Sequence, residues 1–357
     1  MSEQKKTEKA EGKYLPGIGV DVGTSNIVIA RQCEDGSFFV RHHRNMLFEM
    51  EANDESSDLL ERSDYLYIKT ADKYYIVGED ALKLVNALGR GEIVRPMQNG
   101  LMNPTLKKAQ TLLNYILEAV VGKPQFQGEP LRFSVPANPI DKLEVNNLFH
   151  QTVLAQFFTN LGFSPKPINE ALSNLYNEAP SMEVEGEGTF PLTGFSISFG
   201  GGMTNCCLAL RGMSLVEFSS TQCGDHIDRQ TAVVTGEPVA KVMRVKEKKF
   251  NLESPDQSDR IQQALSIYYD EMVSRVVKNM LKEFAKESRE FAGPIEVVVC
   301  GGTAMIPGFM SRFDRVLGSL QFPFTIKGSR LSATPFFSVS RGCALAARGD
   351  HKKMKKE

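Results

Sequence analysis

The chain contains no tryptophan, only five histidines, and six cysteines that never form a C-x-x-C pair. Cys33, Cys206, Cys207, Cys223, Cys300 and Cys343 stand mostly inside apolar strand patterns, so they read as small buried residues of a reducing compartment. Charge of one sign is missing as well: 42 Lys and Arg against 43 Asp and Glu leave a net charge of −1. Without a basic field, composition offers no ground for nucleic-acid binding, and no nucleic-acid partner is expected. Apolar runs are short. None approaches the roughly 18 uninterrupted residues of a membrane span, so no transmembrane segment is expected. Met1 to Lys13 is charged and lacks the apolar stretch of a signal peptide, so a disordered tail and a cytoplasmic location are expected. What is there is 357 residues at 41% hydrophobic content, enough for about two to three ordinary domains.

The most informative stretch is Ile18 to Ala30, IGVDVGTSNIVIA. Two apolar runs flank a small polar loop, which predicts a β-hairpin with a polar tip. Gly23 lets the backbone approach a ligand closely, and the N–H groups and hydroxyls of Gly23, Thr24, Ser25 and Asn26 suit phosphate oxygens. Asp21, at the end of the incoming strand, is placed to hold a hydrated Mg²⁺ against those phosphates. Polar hairpin tips are common, so this reading needs an answering element. Phe195 to Gly212, FSISFGGGMTNCCLALRG, supplies one: strand, Gly200-Gly201-Gly202, then Met203-Thr204-Asn205 and a second strand. Adjacent glycines between buried-strand patterns indicate close approach to the backbone. The half-chain separation suggests a duplication whose halves close on one polyphosphate. A third turn, Gly301-Gly302-Thr303, follows the β-branched strand in IEVVVCGGTAMIPGF and precedes a helix, as expected where a nucleotide meets strand ends.

The order of Asp21-Val22-Gly23-Thr24, Val135-Pro136-Ala137, Asn169-Glu170-Ala171, Gly200-Gly201-Gly202 and Gly301-Gly302-Thr303 resembles the actin-like ATPase superfamily, over roughly Pro16 to Arg348. Val77-Gly78-Glu79-Asp80-Ala81 and Ile93 to Gly100 are similar to its bacterial cell-shape actin branch. The resemblance implies an α/β fold, the duplicated actin-like ATPase (ribonuclease H-like) fold, with two lobes around a nucleotide cleft. It implies ATP and Mg²⁺ as cofactors, Glu170 as the residue that positions the attacking water, and Thr204 among the phosphate-side residues. It also places Lys241 and Arg244 near the nucleoside. The expected division is a tail 1–15, an N-terminal lobe 16–180 with an insertion at about 45–95, a linker 181–193, a C-terminal lobe 194–348 with a helical insertion at about 229–292, and a basic tail 349–357.

Local readings accompany that map. Pro104 to Val121, Asp141 to Leu161 and Asp259 to Glu290 read as helices, Glu49 to Asp64 as an acidic surface excursion, and Arg41-His42-His43-Arg44 as a solvated strand end. The chain departs from the family pattern where Ser198 replaces an aspartate, Met203 a threonine, Ala171 a proline and Lys241 a glutamate. Loss of the aspartate removes a charge that helps hold the metal's water shell, so hydrolysis is expected to be slow or absent. The implied function is a nucleotide-dependent filament whose partner is the chain itself, with membrane-associated or regulatory proteins as further partners. The alternative is a non-polymerising ATP switch or adaptor of chaperone type. The sequence ends soon after the last motif, without a peptide-binding domain, which favours the filament.

Overall fold

The computed structural model describes residues 14–88, 91–178, 182–184, 188–190, 193–286, 291 and 293–355. Two five-stranded sheets carry the architecture. The first is built from β1 (Ile18–Val22), β2 (Asn26–Gln32), β3 (Phe38–Arg44), β4 (Glu129–Val135) and β5 (Phe163–Asn169), in the order β3-β2-β1-β4-β5. The second is built from β6 (Gly194–Phe199), β7 (Thr204–Leu210), β8 (Met213–Ser220), β9 (Ile295–Cys300) and β10 (Ile326–Leu331), in the order β8-β7-β6-β9-β10. The two orders are the same when counted from the first strand of each half. In both, the first two strands are an antiparallel hairpin and the fourth joins the first in parallel. This is the two-lobed, duplicated actin-like fold.

Each sheet has its own core. Ile18, Val20, Phe133 and Leu131 of the first sheet pack beneath α3 (Ala109–Val121) and α4 (Leu148–Asn160), which supply Leu113, Ile116, Leu154 and Phe158. In the second lobe Phe195, Ile197 and Phe199 pack on α8 (Arg260–Phe284) and α9 (Phe309–Gly318) through Tyr269, Phe284, Phe309 and Phe313. The other faces are covered crosswise. α5 (Glu170–Glu178) leaves the first sheet and packs Ala171 and Leu175 against Cys207 and Ala209 of the second. α10 (Ser338–Met354) returns from the second lobe to lie on β1, so tightly that a Cβ on Gly19 would sit 2.1 Å from the Ser340 carbonyl oxygen. That closeness accounts for the small-residue stripe Gly342, Cys343, Ala344 and Ala347, all buried.

Several elements differ from the sequence reading. The acidic Glu49–Asp64 stretch is not a bare excursion: it contains a strand, Leu47–Glu51, and α1 (Asp54–Glu61), capped by Asn53, whose side chain accepts from the Ser56 N–H. With the strands Tyr67–Lys69, Lys73–Val77 and Ile93–Val94 and helix α2 (Glu79–Leu88), they enclose a small core of Phe48, Leu60, Tyr74 and Ile76. α1 buries only Ser56 and Leu60, too few to leave a periodic signal. The helix expected from Asp141 begins at Leu148 because the Asp141 carboxylate is committed to the second lobe, accepting from the Thr221 N–H at 2.9 Å and the Ser220 hydroxyl at 2.8 Å. Likewise the helix expected from Pro104 begins at Ala109. Within the expected linker, Met182–Val184 pairs antiparallel with Gly188–Phe190. Of the expected N-terminal tail 1–15, residues 1–13 lie outside the described residues and Tyr14 bridges Cys33, while Lys352 and Lys353 of the basic tail belong to the last turn of α10.

Candidate functional site

The two glycine-bearing hairpin tips face each other. The first is closed by the Gly23 N–H donating to the Asn26 carbonyl at 3.0 Å and is braced from outside by Asn45, whose side-chain amide donates to the Gly23 carbonyl at 2.9 Å. The second is closed by the Gly200 N–H donating to the Met203 carbonyl at 3.0 Å. Between them there is no room for added atoms: a Cβ on Gly201 would sit 2.3 Å from the Ser25 hydroxyl, and one on Gly202 would sit 2.2 Å from that of Thr24. Both glycines are therefore required by contact between lobes. The third turn is tied to the second, since the Thr303 hydroxyl donates to the Gly200 carbonyl at 2.7 Å and the Cys223 thiol donates to the same oxygen at 2.8 Å. Gly301, at φ +96°, has no space for a side chain beside the Phe199 carbonyl.

Around these tips lies a cleft of about 800 Å³, within the range of roughly 300 to 1,000 Å³ typical of ligand sites. Of the residues expected to bind nucleotide or metal, Asp21, Gly23, Thr24, Ser25, Asn26, Glu170, Gly200, Gly201, Gly202, Gly301, Gly302 and Thr303 line it. Thr204, Lys241 and Arg244 do not. Thr204 is buried in β7. Lys241 and Arg244 project from the opposite side of α7 (Val239–Lys248) and line a separate concavity. The cleft side of α7 is formed by Met243, Lys246 and Glu247, three and four residues apart as one helical stripe requires, and Lys248 borders both the cleft and the second concavity. Lys246 is held by Asp228 at 2.7 Å. His42, His43 and Arg44 of β3 also line the cleft, in place of the solvated strand end that the sequence suggested. Burial together with the neighbouring Arg41 and His42 pushes His43 down to about 4, so it is neutral at physiological pH. Arg44 spans the lobes, pairing with Glu247 at 3.1 Å and with Glu79 at 2.7 Å, and Arg95 reaches Asp225 at 3.5 Å.

At the base of the cleft stand two carboxyl groups. Asp21 accepts from the Ser134 hydroxyl at 2.8 Å, and burial raises it to about 6. Glu170 is the first residue of α5; Asn169 caps that helix by accepting from the Ala171 N–H at 2.9 Å. Glu170 is raised to about 8, first by burial and then by the charge of Asp21, with the Asn205 amide, donating at 2.8 Å, and Ser198 opposing. Two buried carboxyl groups that repel each other suit a divalent cation. No group of three or more His, Cys, Asp or Glu among the described residues is arranged to hold a metal. A pair of carboxylates alone fits Mg²⁺, which keeps most of its waters and takes one or two carboxylates beside phosphate oxygens. The sequence reading missed Asn205 as a positioning residue; its signal is an amide inside the otherwise apolar β7, with no exposure and both ends used, the Ala137 N–H donating to its carbonyl oxygen at 3.0 Å.

The sequence pattern that defines the Volactin family matches residues 17–347. The chain belongs to the Volactin family. Among solved structures this Volactin chain is similar to MamK in a double helical filament, at 16% identity and a TM-score of 0.68, covering 92% of this chain and 98% of MamK. It is similar to MreB5 of Spiroplasma citri bound to ADP, at 16% identity and a TM-score of 0.65, covering 96% and 99% of the two chains. It is also similar to the ethanolamine utilization protein EutJ from Carboxydothermus hydrogenoformans, at 16% identity and a TM-score of 0.54, covering 94% and 92%. At that identity the likeness carries the actin-like fold. No curated protein matches the sequence. No helix among the described residues is long and apolar enough to cross a membrane.

Proposed function

We propose that this Volactin-family protein is a cytoplasmic, actin-like cytoskeletal protein that binds ATP with Mg²⁺ between its lobes and assembles into filaments under nucleotide control. The observation that carries the reading is the meeting of the Thr24–Ser25 tip with Gly201 and Gly202 above Asp21 and Glu170. A triphosphate contacted by both tips links the lobes, so the bound state favours one lobe orientation, and that orientation sets the surfaces offered to a second copy. The backbone at Gly23 to Asn26 and Gly200 to Gly202 would hold phosphate oxygens, Asp21 would hold the hydrated metal, and Gly301 to Thr303 would close the site. The nucleoside would lie against Lys246 and Glu247, which replace Lys241 and Arg244 in that role. Mg²⁺ supplies charge neutralisation at the terminal phosphate. Glu170 would orient water, its carboxylate fixed by the Asn205 amide. With Ser198 in place of an aspartate, turnover is slow.

Support also comes from the fold neighbours: MamK forms a double helical filament and MreB5 binds ADP. Titration of the purified protein with a fluorescent ATP analogue, with and without Mg²⁺, followed by pelleting and electron microscopy, tests both halves. Magnesium-dependent binding and ATP-dependent filaments are expected. Monomers at high concentration under every nucleotide condition would leave the non-polymerising switch, and no binding at all would end the proposal.

A further inference from the structure

The concavity that Lys241 and Arg244 line lies on the outside of the second lobe, between the end of α6 (Gly224–Thr235), α7 and the start of α8, with a volume of about 650 Å³. Five cations surround it: Lys241, Arg244, Lys248, Lys249 and Arg260. Its two acids are already committed. Glu237 pairs with Lys241 at 2.8 Å, and Asp259 caps α8 by accepting from the Ile261 N–H at 2.9 Å. No carboxylate among the described residues pairs with Arg244, Lys248 or Lys249. Val234, whose carbonyl accepts from Arg260 at 3.5 Å, stands beside this charge and is 49% exposed.

The first lobe presents the complement. Between Glu49 and Asp64 there are seven acidic residues and a single base, Arg62. On α1 the buried residues Ser56 and Leu60 define the inner face, Asp54, Asp58 and Glu61 fall together on the outer one, and Glu55 flanks them, all exposed. Of these acids only Asp58 pairs with a cation among the described residues, Arg62 at 3.5 Å, and both of those side chains are exposed. An acidic helix face matches a basic concavity in charge.

We propose that α1 of one copy docks into the basic concavity between α6, α7 and α8 of a second copy. The two patches differ, so the contact is heterologous and each copy offers both halves, which permits open-ended assembly. The inference rests on the self-assembly reading above.

The test measures assembly by pelleting and electron microscopy, with Mg²⁺ and ATP, for the native protein and two charge-reversed variants, Arg244→Glu with Lys249→Glu, and Asp58→Lys with Glu61→Lys. Each variant alone should show a critical concentration at least tenfold higher, with native circular dichroism and native affinity for a fluorescent ATP analogue. An equimolar mixture should assemble again, because each reversed patch then meets its complement on the other variant. Native assembly should weaken as salt rises. Native-like assembly by either variant, or failure of the mixture to recover, overturns the contact while leaving the filament reading intact. Absence of assembly by the native protein overturns that reading and the contact with it.

Discussion

The carboxyl pair at the base of the cleft gives the sharpest prediction, through Glu170→Gln. In the folded protein Glu170 is raised from 4.5 to about 8, chiefly by burial and next by Asp21. Between those values the folded chain keeps a proton that the unfolded chain has released. The unfolded state therefore binds fewer protons, and stability falls as pH rises through this window. At about 1.4 kcal/mol per pH unit, the displacement has a ceiling of about 5 kcal/mol by pH 8; sharing of the effect with Asp21 lowers the part that glutamine removes to on the order of 3 kcal/mol. Glutamine retains the shape of the protonated acid and still accepts from Asn205, so near pH 5 the variant should melt close to the native protein. Near pH 8 it should melt several degrees higher. Part of the slope remains up to about pH 6 from Asp21, itself raised from 3.8 to about 6. Added Mg²⁺ and ATP should narrow the difference, since a cation favours the ionised pair. Differential scanning calorimetry from about pH 5 to 8 decides the matter. If the native protein and the variant lose stability in parallel across that range, Glu170 is not the titrating group and the electrostatic account of the site is wrong.

Four further outcomes follow from the geometry. Gly202→Ala places a methyl 2.2 Å from the Thr24 hydroxyl and 2.5 Å from the Gly100 nitrogen, so the lobes must part; affinity for a fluorescent ATP analogue should fall at least tenfold while the unfolding midpoint moves little. Asn205→Ala leaves the buried Ala137 N–H without its acceptor, and urea unfolding should show a loss of about 1 to 3 kcal/mol. Arg44→Ala removes the pair to Glu247, worth about 0.5 to 1 kcal/mol at this half-exposed position, and stopped-flow release of bound nucleotide should speed up about two- to fivefold, less at high salt. Ser198→Asp should raise Mg²⁺-dependent phosphate release from a level at or near background; an ordinary rate in the native protein would show that the serine is no impediment.

The hairpin-tip end of the cleft was legible because glycine leaves a trace where two backbones nearly touch, as at Gly201, Gly202 and Gly301. The end lined by α7 was not. The family resemblance identified the segment that becomes α7 but not its rotation, and the stripe that faces the cleft runs through Met243, Lys246 and Glu247. Val242, fully buried, could have indicated it, since Lys246 stands one turn further along the same side. His42, His43 and Arg44 were passed over for another reason: their place depends on the pairing of β2 with β3, which sets His42 beside Val28 and His43 beside Ile27. Register between strands is a tertiary fact, and one sequence does not fix it.

The duplication also ties the two lobes together through exchanged helices. α5 follows the last strand of the first sheet yet packs on the second, and α10 follows the last strand of the second yet packs on the first. The exchanged helices cross where Gly342 meets Ser173, so closely that a Cβ on Gly342 would overlap the Ser173 carbonyl. Backbone meets backbone at this crossing, so side chains cannot yield there. Asp350 of α10 holds Arg132 of β4 at 2.7 and 3.0 Å, which fixes that helix to the first sheet. A second link joins the lobes where Pro139 bridges Ser219 and Asp141 accepts from Ser220 and Thr221. A ligand bridging the hairpin tips would add a further link to these two, on the side of the molecule where the cleft opens.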